Sequence, residues 1–188
     1  PERLYMVDLS ESYRNLLADL DPDKAVFRAG DAEEMPLPYG LSAVVSSSAL
    51  QWFERPERFL ARSADALDEG GVIAIATFGV ENMREIGSLS GVRLHYPSCE
   101  QLRRMIPSAM TLVHFSEQII TLTFGSAREV LTHLRQTGVS GIERPLGVTA
   151  TRRLIADYDA GYSDGKGGVT LTYHPIYIVA RKGTAERR

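Results

Sequence analysis

Hydrophobic residues in the first half of the chain occur either in short continuous runs or at helical spacing. The short runs predict four strands, at residues 4–7, 25–27, 43–45 and 71–77. The last run is uncharged and rich in β-branched residues, which predicts a strand buried on both faces. Helical spacing predicts helices over residues 10–20, with Ser10 as N-cap, and over residues 56–67, ended by the glycines that follow. Strands and helices that alternate in this way predict a doubly wound, mostly parallel α/β sheet of the Rossmann-like type.

The second half of the chain is more strongly helical. Its periodicity predicts four further helices, over residues 81–89, 98–106, 126–137 and 149–160. Ser98 and Gln101 have the spacing of a capping box, and Thr149 or Thr151 is the expected cap of the last helix.

Two longer β-rich stretches lie between and after these helices. They predict strands over residues 111–124 and 169–180, the second of which closes the sheet as an antiparallel strand. We expect a single domain over residues 1–188, with a helical insertion at residues 126–162.

The charged residues are distributed unevenly along the chain. The net charge of −3 arises from 7 basic and 14 acidic residues in positions 1–80, and 14 basic and 10 acidic residues in positions 81–188. Overall acidity argues against a nucleic-acid partner, and no apolar stretch is long enough for a membrane span, so we expect a soluble, cytoplasmic protein. The basic half could meet an acidic partner or an anionic substrate, or it could only present solvated helix faces.

Several chemistries are disfavoured by the residue types. Cys99 is the only cysteine and is expected to be an inert, packed thiol. The four histidines lack metal-ligand spacing, so no metal is expected, and the serines at residues 46–48 lack the glycine elbow of a serine hydrolase.

Polar residues follow the predicted strands where each of them ends. Asp8 and Asp31 follow the first two strands, Ser46 to Ser48 the third, and Gly79 the fourth. In an α/β sheet these ends meet at one edge, where ligands bind. Asp8 could accept both ribose hydroxyls of a nucleoside or could only cap a turn, and Asp31 could accept from an exocyclic amine. Together they suggest an adenosine pocket.

The order of four segments resembles class I S-adenosylmethionine-dependent methyltransferases. The segments are VDLS at residues 7–10, AGDAEEMPL at 29–37, VSSSALQW at 45–52 and DEGGV at 68–72. Three motifs, ALQW at residues 49–52, LTHLRQTG at 131–138 and LTYH at 171–174, narrow the resemblance to the malonyl-acyl carrier protein O-methyltransferases of biotin synthesis. The resemblance covers essentially the whole chain.

The resemblance implies S-adenosylmethionine as the cofactor. Asp8, followed by Leu9, would hold the ribose hydroxyls. Asp31 would accept from the adenine amino group, and the backbone N–H of Ala32 would reach a ring nitrogen.

The remaining implied roles concern the reacting groups. Ser46 and Ser47 would line the methionine side of the cofactor, and Gln51 and Trp52 would face the methyl-transfer site. Trp52 could instead only fill the core.

Tyr173 and His174 would approach the methyl-transfer site from the final strand, although His174 could be a wall residue rather than a base. Arg135 and Arg144 are the candidate anchors of the substrate carboxylate, or else simple surface arginines.

The substrate implied is a malonyl thioester on an acyl carrier protein, whose free carboxylate displaces the sulfonium methyl group in line. That carboxylate is ionised at neutral pH, so no general base is needed. The acidic carrier could dock on a basic surface that includes Arg103, Arg104, Arg152 and Arg153. A methyltransferase for another small carboxylate or a polyprenyl precursor, and a non-catalytic binding domain, remain alternatives. The oligomeric state is not predicted.

One family feature is not found. The glycine-rich turn that cradles the methionine moiety does not occur before Asp8, and the chain opens in an apolar run without an initiator methionine. We therefore expect an N-terminal segment to be missing from the printed sequence.

Overall fold

The computed structural model describes residues 2–17, 19–90, 96–137 and 147–184. Its strands are β1 (Leu4–Asp8), β2 (Ala25–Ala29), β3 (Leu41–Ser47), β4 (Leu67–Phe78), β5 (Met110–Glu117), β6 (Ile120–Phe124), β7 (Val169–Tyr173) and β8 (Pro175–Lys182). Its α-helices are α1 (Pro56–Ala66), α2 (Arg84–Ser90), α3 (Cys99–Met105), α4 (Ala127–Gln136) and α5 (Val148–Gly161). Short 3₁₀ helices occupy Glu11–Leu17 and Leu50–Trp52.

Four strands form the largest sheet, in the order β3-β4-β8-β5. β3 and β4 are parallel, whereas β8 is antiparallel to both of its neighbours, β4 and β5. β3, β4 and β5 therefore point the same way, and the predicted antiparallel final strand is confirmed. β1 and β2 form a separate parallel pair, and β6 and β7 a separate antiparallel pair, within the part of the chain that is described.

Two predicted long strands each divide between two sheets. The stretch 111–124 is interrupted at Gln118 and Ile119, and the stretch 169–180 is interrupted at His174. His174 is buried, and its backbone N–H and C=O bond to Asn82 and Gly79 rather than to a neighbouring strand. The chain therefore leaves one β-ladder at His174 and enters the next at Pro175.

Helices α1 and α3 cover one face of the four-stranded sheet. Ile73, Ile75 and Ile178 point into this core and are at most 4% exposed. The side chains on the opposite face of this sheet are half-buried or exposed. On this face Val45 pairs with Ala74 and is 75% exposed. The prediction that β4 is buried on both faces is therefore wrong for the residues described.

A second core lies between the remaining helices and the antiparallel pair of β6 and β7. It is formed by buried side chains of α2, α4, α5 and β7, among them Ile86, Val130, Tyr158 and Leu171. The two helices predicted for residues 126–162 are present in this core as α4 and α5.

Several helix ends differ from prediction. The segment after Ser10 is a 3₁₀ helix, and the Ser10 hydroxyl bonds to the Ser12 hydroxyl rather than capping an amide. α1 ends at Leu67 in extended conformation, so the glycines that follow do not cap it and belong to β4. The N-cap of α5 is Gly147, without a side-chain cap, instead of Thr149 or Thr151. These ends are set by the strand or turn that adjoins the helix.

The capping box at the start of α3 is confirmed. The Ser98 hydroxyl accepts from the Gln101 N–H, and the Gln101 side chain accepts from the Ser98 N–H.

Candidate functional site

The two acidic strand-end loops lie side by side. β1 and β2 are parallel and in register, with Asp8 opposite Ala29, and the Gly30 N–H donates to the Asp8 carbonyl at 2.8 Å. The loops that carry Asp8 and Asp31 therefore leave the same end of the same β-pair.

Each carboxylate uses one oxygen to fix its own loop. Asp8 Oδ1 accepts from the Ser10 N–H at 2.8 Å, and Asp31 Oδ1 accepts from the Glu33 N–H at 2.8 Å. Both side chains are exposed, as is that of Leu9, and neither Oδ2 has a protein partner among the described residues. Each carboxylate can therefore still accept hydrogen bonds from a ligand.

The backbone of the second loop also offers a donor. Within the described parts of the chain the Ala32 N–H has no protein acceptor. A carboxylate and an adjacent free N–H are the pair of groups needed to bind an amino group and a ring nitrogen of one base.

Glu33 holds this loop in place, a role that sequence reasoning missed. The carboxylate is 5% exposed and accepts from the N–H groups of Glu54, at 2.9 Å, and Arg55, at the start of α1. Arg62 of α1 in turn donates to the carbonyls of Glu33 and Met35. No local spacing could reveal these contacts, because the partners lie 21 to 29 residues away along the chain.

The end of β3 carries two of the predicted site serines. The Ser46 hydroxyl is buried without a hydrogen-bond partner among the described residues, whereas Ser47 is exposed. A buried hydroxyl without a partner is unfavourable, so a hydrogen bond from a ligand would stabilise it.

The turn after β3 positions Gln51 and Trp52 differently. Gln51 is buried, donates to the Ser48 carbonyl at 2.7 Å and accepts from the Thr77 hydroxyl at 3.2 Å. Its amide therefore joins the turn to β4. The Trp52 side chain is 47% exposed, so the alternative that it fills the core is wrong.

An aromatic cluster lies at the carboxyl end of β4. The Phe78 ring centroid is 6.4 Å from that of Tyr96 and 6.2 Å from that of Tyr173. Asn82 donates to the Tyr96 hydroxyl at 2.9 Å and accepts from the His174 N–H at 3.1 Å. Burial raises the pKa of both Tyr96 and Tyr173, so the two phenols remain protonated at neutral pH.

Tyr173 also contacts helix α4. Its hydroxyl lies 2.9 Å from His133 Nε2 and also bonds with Thr137. The His133 ring packs against Phe124, with centroids 5.2 Å apart. The sequence offers no spacing that links His133 to Tyr173, which follows 40 residues later.

His174 uses both ring nitrogens in the protein. Nδ1 accepts from the Glu81 N–H at 3.2 Å, and Nε2 lies 2.9 Å from a Glu117 oxygen. An Nδ1 that faces an N–H carries a lone pair, so the neutral ring bears its proton on Nε2 and donates it to Glu117. This arrangement favours the alternative of a wall residue for His174.

Cys99 completes a cluster of three possible metal ligands with Glu117 and His174. The three ligand atoms lie within 4.8 Å of one another, and the thiol donates to Glu117 at 2.9 Å. Because His174 directs a proton rather than a lone pair into the cluster, the contacts are those of a hydrogen-bond network. Burial, reinforced by the Glu117 carboxylate, raises the pKa of Cys99 to about 11. The hydrogen bonds from Cys99 and then His174 lower the pKa of Glu117.

The one candidate arginine that the structure describes, Arg135, bonds within its own helix rather than to the aromatic cluster. Arg135 is exposed and donates to the Leu131 carbonyl and the Thr132 hydroxyl of its own helix, each at 3.3 Å. Arg144 lies outside the described residues.

The predicted docking arginines lie on α3 and α5. Arg103 stacks on Phe115 at 3.7 Å and Arg104 pairs with Glu100. Arg152 and Arg153 are exposed near the start of α5.

Within the described residues, no helix has both the length and the apolar character needed to cross a bilayer.

Comparison with known proteins identifies similar chains. A family model described as a methyltransferase domain matches residues 2–75. The malonyl-[acyl-carrier protein] O-methyltransferase of Bacteroides fragilis is 42% identical over 183 residues, which is 97% of this chain and 37% of that protein. The protein of the same name from Bacteroides thetaiotaomicron is 38% identical and is matched over 97% of this chain and 74% of its own length. The chain thus spans little more than a third of the first relative and about three quarters of the second.

The fold is shared with solved structures. The YcgJ protein of Bacillus subtilis superposes with a TM-score of 0.67 at 11% identity, covering 98% of this chain and 84% of that one. The predicted Rossmann-like α/β fold is therefore confirmed.

Proposed function

Since the chain belongs to the malonyl-[acyl-carrier protein] O-methyltransferase family, we propose that it methylates the free carboxylate of malonyl-acyl carrier protein with S-adenosylmethionine as methyl donor. The product would be a methyl ester that serves as a precursor in biotin synthesis. A cytoplasmic location belongs to the same proposal, because carrier-bound thioesters and the cofactor are made there.

The observation that carries the proposal is the pair of acidic loops on β1 and β2. In the described parts of the chain, Asp8 and Asp31 each keep one carboxylate oxygen available, and the Ala32 N–H in the Asp31 loop has no acceptor. Two carboxylate acceptors and a backbone donor match the ribose hydroxyls, the amino group and a ring nitrogen of adenosine.

The buried Ser46 hydroxyl, which has no hydrogen-bond partner among the described residues, supports the fit to the methionine portion of the same cofactor. Leu9, Ser46 and Ser47 would line the cofactor, and Gln51 and Trp52 would lie next to the methyl group. When bound, S-adenosylmethionine supplies an electrophilic methyl group on a sulfonium.

The protein's own contribution to the reaction is to bind, align and exclude water. The substrate carboxylate is the nucleophile and is already ionised, so no side chain has to remove a proton. Tyr173 and His174 would form the wall of the methyl-transfer site, and Arg135 or Arg144 would anchor the carboxylate. The helices of residues 126–162, within a single domain over residues 1–188, would cover the substrate.

The carrier would dock through charge complementarity. Arg103, Arg104, Arg152 and Arg153 are exposed on α3 and α5. An acidic carrier would approach such a surface faster at low salt, so the association rate should fall as ionic strength rises.

Calorimetric titration and a transfer assay test the proposal. Protein expressed from its whole coding sequence is titrated with S-adenosylmethionine and then supplied with malonyl-carrier protein, free malonate or a polyprenyl precursor. The proposal expects binding and a methyl ester on the carrier thioester. Failure to bind, binding without transfer, or transfer to another substrate class would each overturn it.

A substitution of Asp8 tests the proposed cofactor site. Asp8→Ala should weaken cofactor binding about 10- to 100-fold, because hydrogen bonds to a charged group are lost. Asp23→Ala, which removes an exposed carboxylate in the following turn, is the matched control. Equal affinities of the two variants would refute the ribose role of Asp8.

A further inference from the structure

Among the described residues, the carboxyl end of β4 is lined by phenol side chains rather than by the candidate arginine Arg135. The hydroxyl-bearing rings of Tyr96 and Tyr173 flank Phe78, whereas Arg135 bonds to its own helix. We infer that the Tyr173 hydroxyl, oriented by His133, binds the free carboxylate of the malonyl substrate. This inference rests on the proposed function and replaces its arginine anchor.

His133 is placed to set the direction of the Tyr173 proton. Its Nε2 lies 2.9 Å from the phenol oxygen, and the two rings meet edge to face, with centroids 6.1 Å apart and an interplanar angle of 87°. When Nε2 carries the imidazole proton, His133 donates to the phenol oxygen. The hydroxyl proton of Tyr173 then points away from His133 and is available to a second acceptor.

Thr137 also bonds with the Tyr173 hydroxyl. The Thr137 hydroxyl proton lies between the carbonyls of His133 and Leu134, at 3.1 and 3.2 Å. A carboxylate is a stronger acceptor than a neutral hydroxyl, so the carboxylate of a bound substrate would take the Tyr173 proton.

A neutral donor also suits the reaction. One carboxylate oxygen forms the new bond to carbon, the bond from that carbon to sulfur breaks with its electron pair left on sulfur, and no proton is gained or lost. The negative charge of the carboxylate therefore disappears as the ester forms. A guanidinium would stabilise the charged carboxylate more than the transition state and would therefore slow the methyl transfer. A neutral phenol favours the charged reactant less and slows the transfer less. Because Tyr173 and Phe78 are also apolar along their rings, they exclude water from the carboxylate.

Tyr173→Phe tests the substrate contact. The measured quantity is the preference for malonyl-carrier protein over acetyl-carrier protein, whose acyl group lacks the free carboxylate. It is the ratio of the inhibition constant of acetyl-carrier protein to the KM of malonyl-carrier protein. The variant should lose about 10- to 100-fold of this preference, the effect of one hydrogen bond to a charged group. Affinity for S-adenosylmethionine should stay unchanged. Tyr39→Phe, which alters a phenol that is 86% exposed in a loop, is the matched control and should keep the preference.

Substitutions of His133 test the positioning role. His133→Gln retains an N–H that can donate to the phenol oxygen and should retain most of the preference. His133→Leu removes that donor, and its preference for the malonyl carrier should fall toward that of Tyr173→Phe. If the leucine variant does not fold, His133→Asn replaces it, because the shorter side chain cannot place an N–H at the required distance. Combining His133→Leu or His133→Asn with Tyr173→Phe should cause no further loss, because both act on one contact.

The outcomes separate this inference from the proposed function. Wild-type protein that neither binds S-adenosylmethionine nor methylates malonyl-carrier protein overturns both. An active wild type whose Tyr173→Phe variant keeps the full preference overturns the inference alone. Loss of the preference in Arg135→Gln or Arg144→Gln has the same consequence, since an arginine would then anchor the carboxylate.

Discussion

Replacement of Glu33 by alanine should destabilise the protein strongly although Glu33 belongs to a loop. Its carboxylate accepts from the N–H groups of Glu54 and Arg55, which precede Pro56 at the start of α1. Arg55 is the N-cap residue of that helix and its own side chain makes no capping bond. Glu33 therefore caps α1 from a distant loop.

The magnitude follows from the bonds that are lost. A hydrogen bond to a charged group contributes about 1.5–3 kcal/mol, and loss of an N-cap costs about 1 kcal/mol. Water can enter the space left by the side chain and recover part of the loss. We expect Glu33→Ala to lower the free energy of unfolding by about 3 kcal/mol, which is a large share of the roughly 5–15 kcal/mol of an ordinary domain.

The neighbouring residue provides the control. Glu34 pairs with Arg55 and Arg58, but all three side chains are about half exposed, so Glu34→Ala should cost about 0–1 kcal/mol. Urea unfolding of both variants measures the difference, with unchanged m-values as the sign that only stability has changed. Equal losses in the two variants would show that Glu33 does not cap α1.

Three further predictions concern other contacts. Cys99, whose pKa is raised to about 11, should react with iodoacetamide at pH 8 about 100-fold more slowly in the folded protein than after denaturation. Glu117→Gln should speed the reaction of the folded protein, because the Glu117 carboxylate favours the protonated thiol. Equal rates in the folded and the denatured protein would contradict this prediction. Gly79→Ala should lower the unfolding free energy by about 1–3 kcal/mol in thermal or urea unfolding, since the added methyl would lie 2.6 Å from the His174 ring. Ser98→Ala should cost about 1 kcal/mol by urea unfolding through loss of the α3 capping box, and Ser108→Ala, an exposed serine beyond α3, should cost nothing measurable.

Much of the site can be predicted from sequence because its chemical groups follow apolar runs. Asp8, Asp31 and Ser46 each occur where a short hydrophobic stretch ends, and the parallel pairing of β1 with β2 brings the ends that carry Asp8 and Asp31 together. The rule needs only local information, since the run marks the strand and the next polar residue marks its end. Their roles in binding remain predictions.

The division of strands between sheets could not be predicted in the same way. Residues 111–124 and 169–180 favour β-structure throughout, so local pattern predicts one strand in each stretch. The break at His174 arises because its backbone bonds to Asn82 and Gly79, residues more than 90 positions earlier. The β-propensity of a stretch predicts that it forms a strand, whereas the sheet that the strand joins depends on these distant hydrogen-bond partners.

The residues that position the site share one physical feature that local spacing does not contain. Glu33, Asn82 and Glu85 are each at most 5% exposed, and each accepts a hydrogen bond from the backbone N–H of a distant element. A buried carboxylate or amide is costly unless it is paired, so each of these side chains favours the single arrangement of loop, helix and strand that pairs it. His133 acts similarly on a side chain, Tyr173, instead of a backbone group. Residues that contact a ligand can therefore be recognised by chemical type and place in the chain, while those that hold them in position are recognised only once distant elements are brought together.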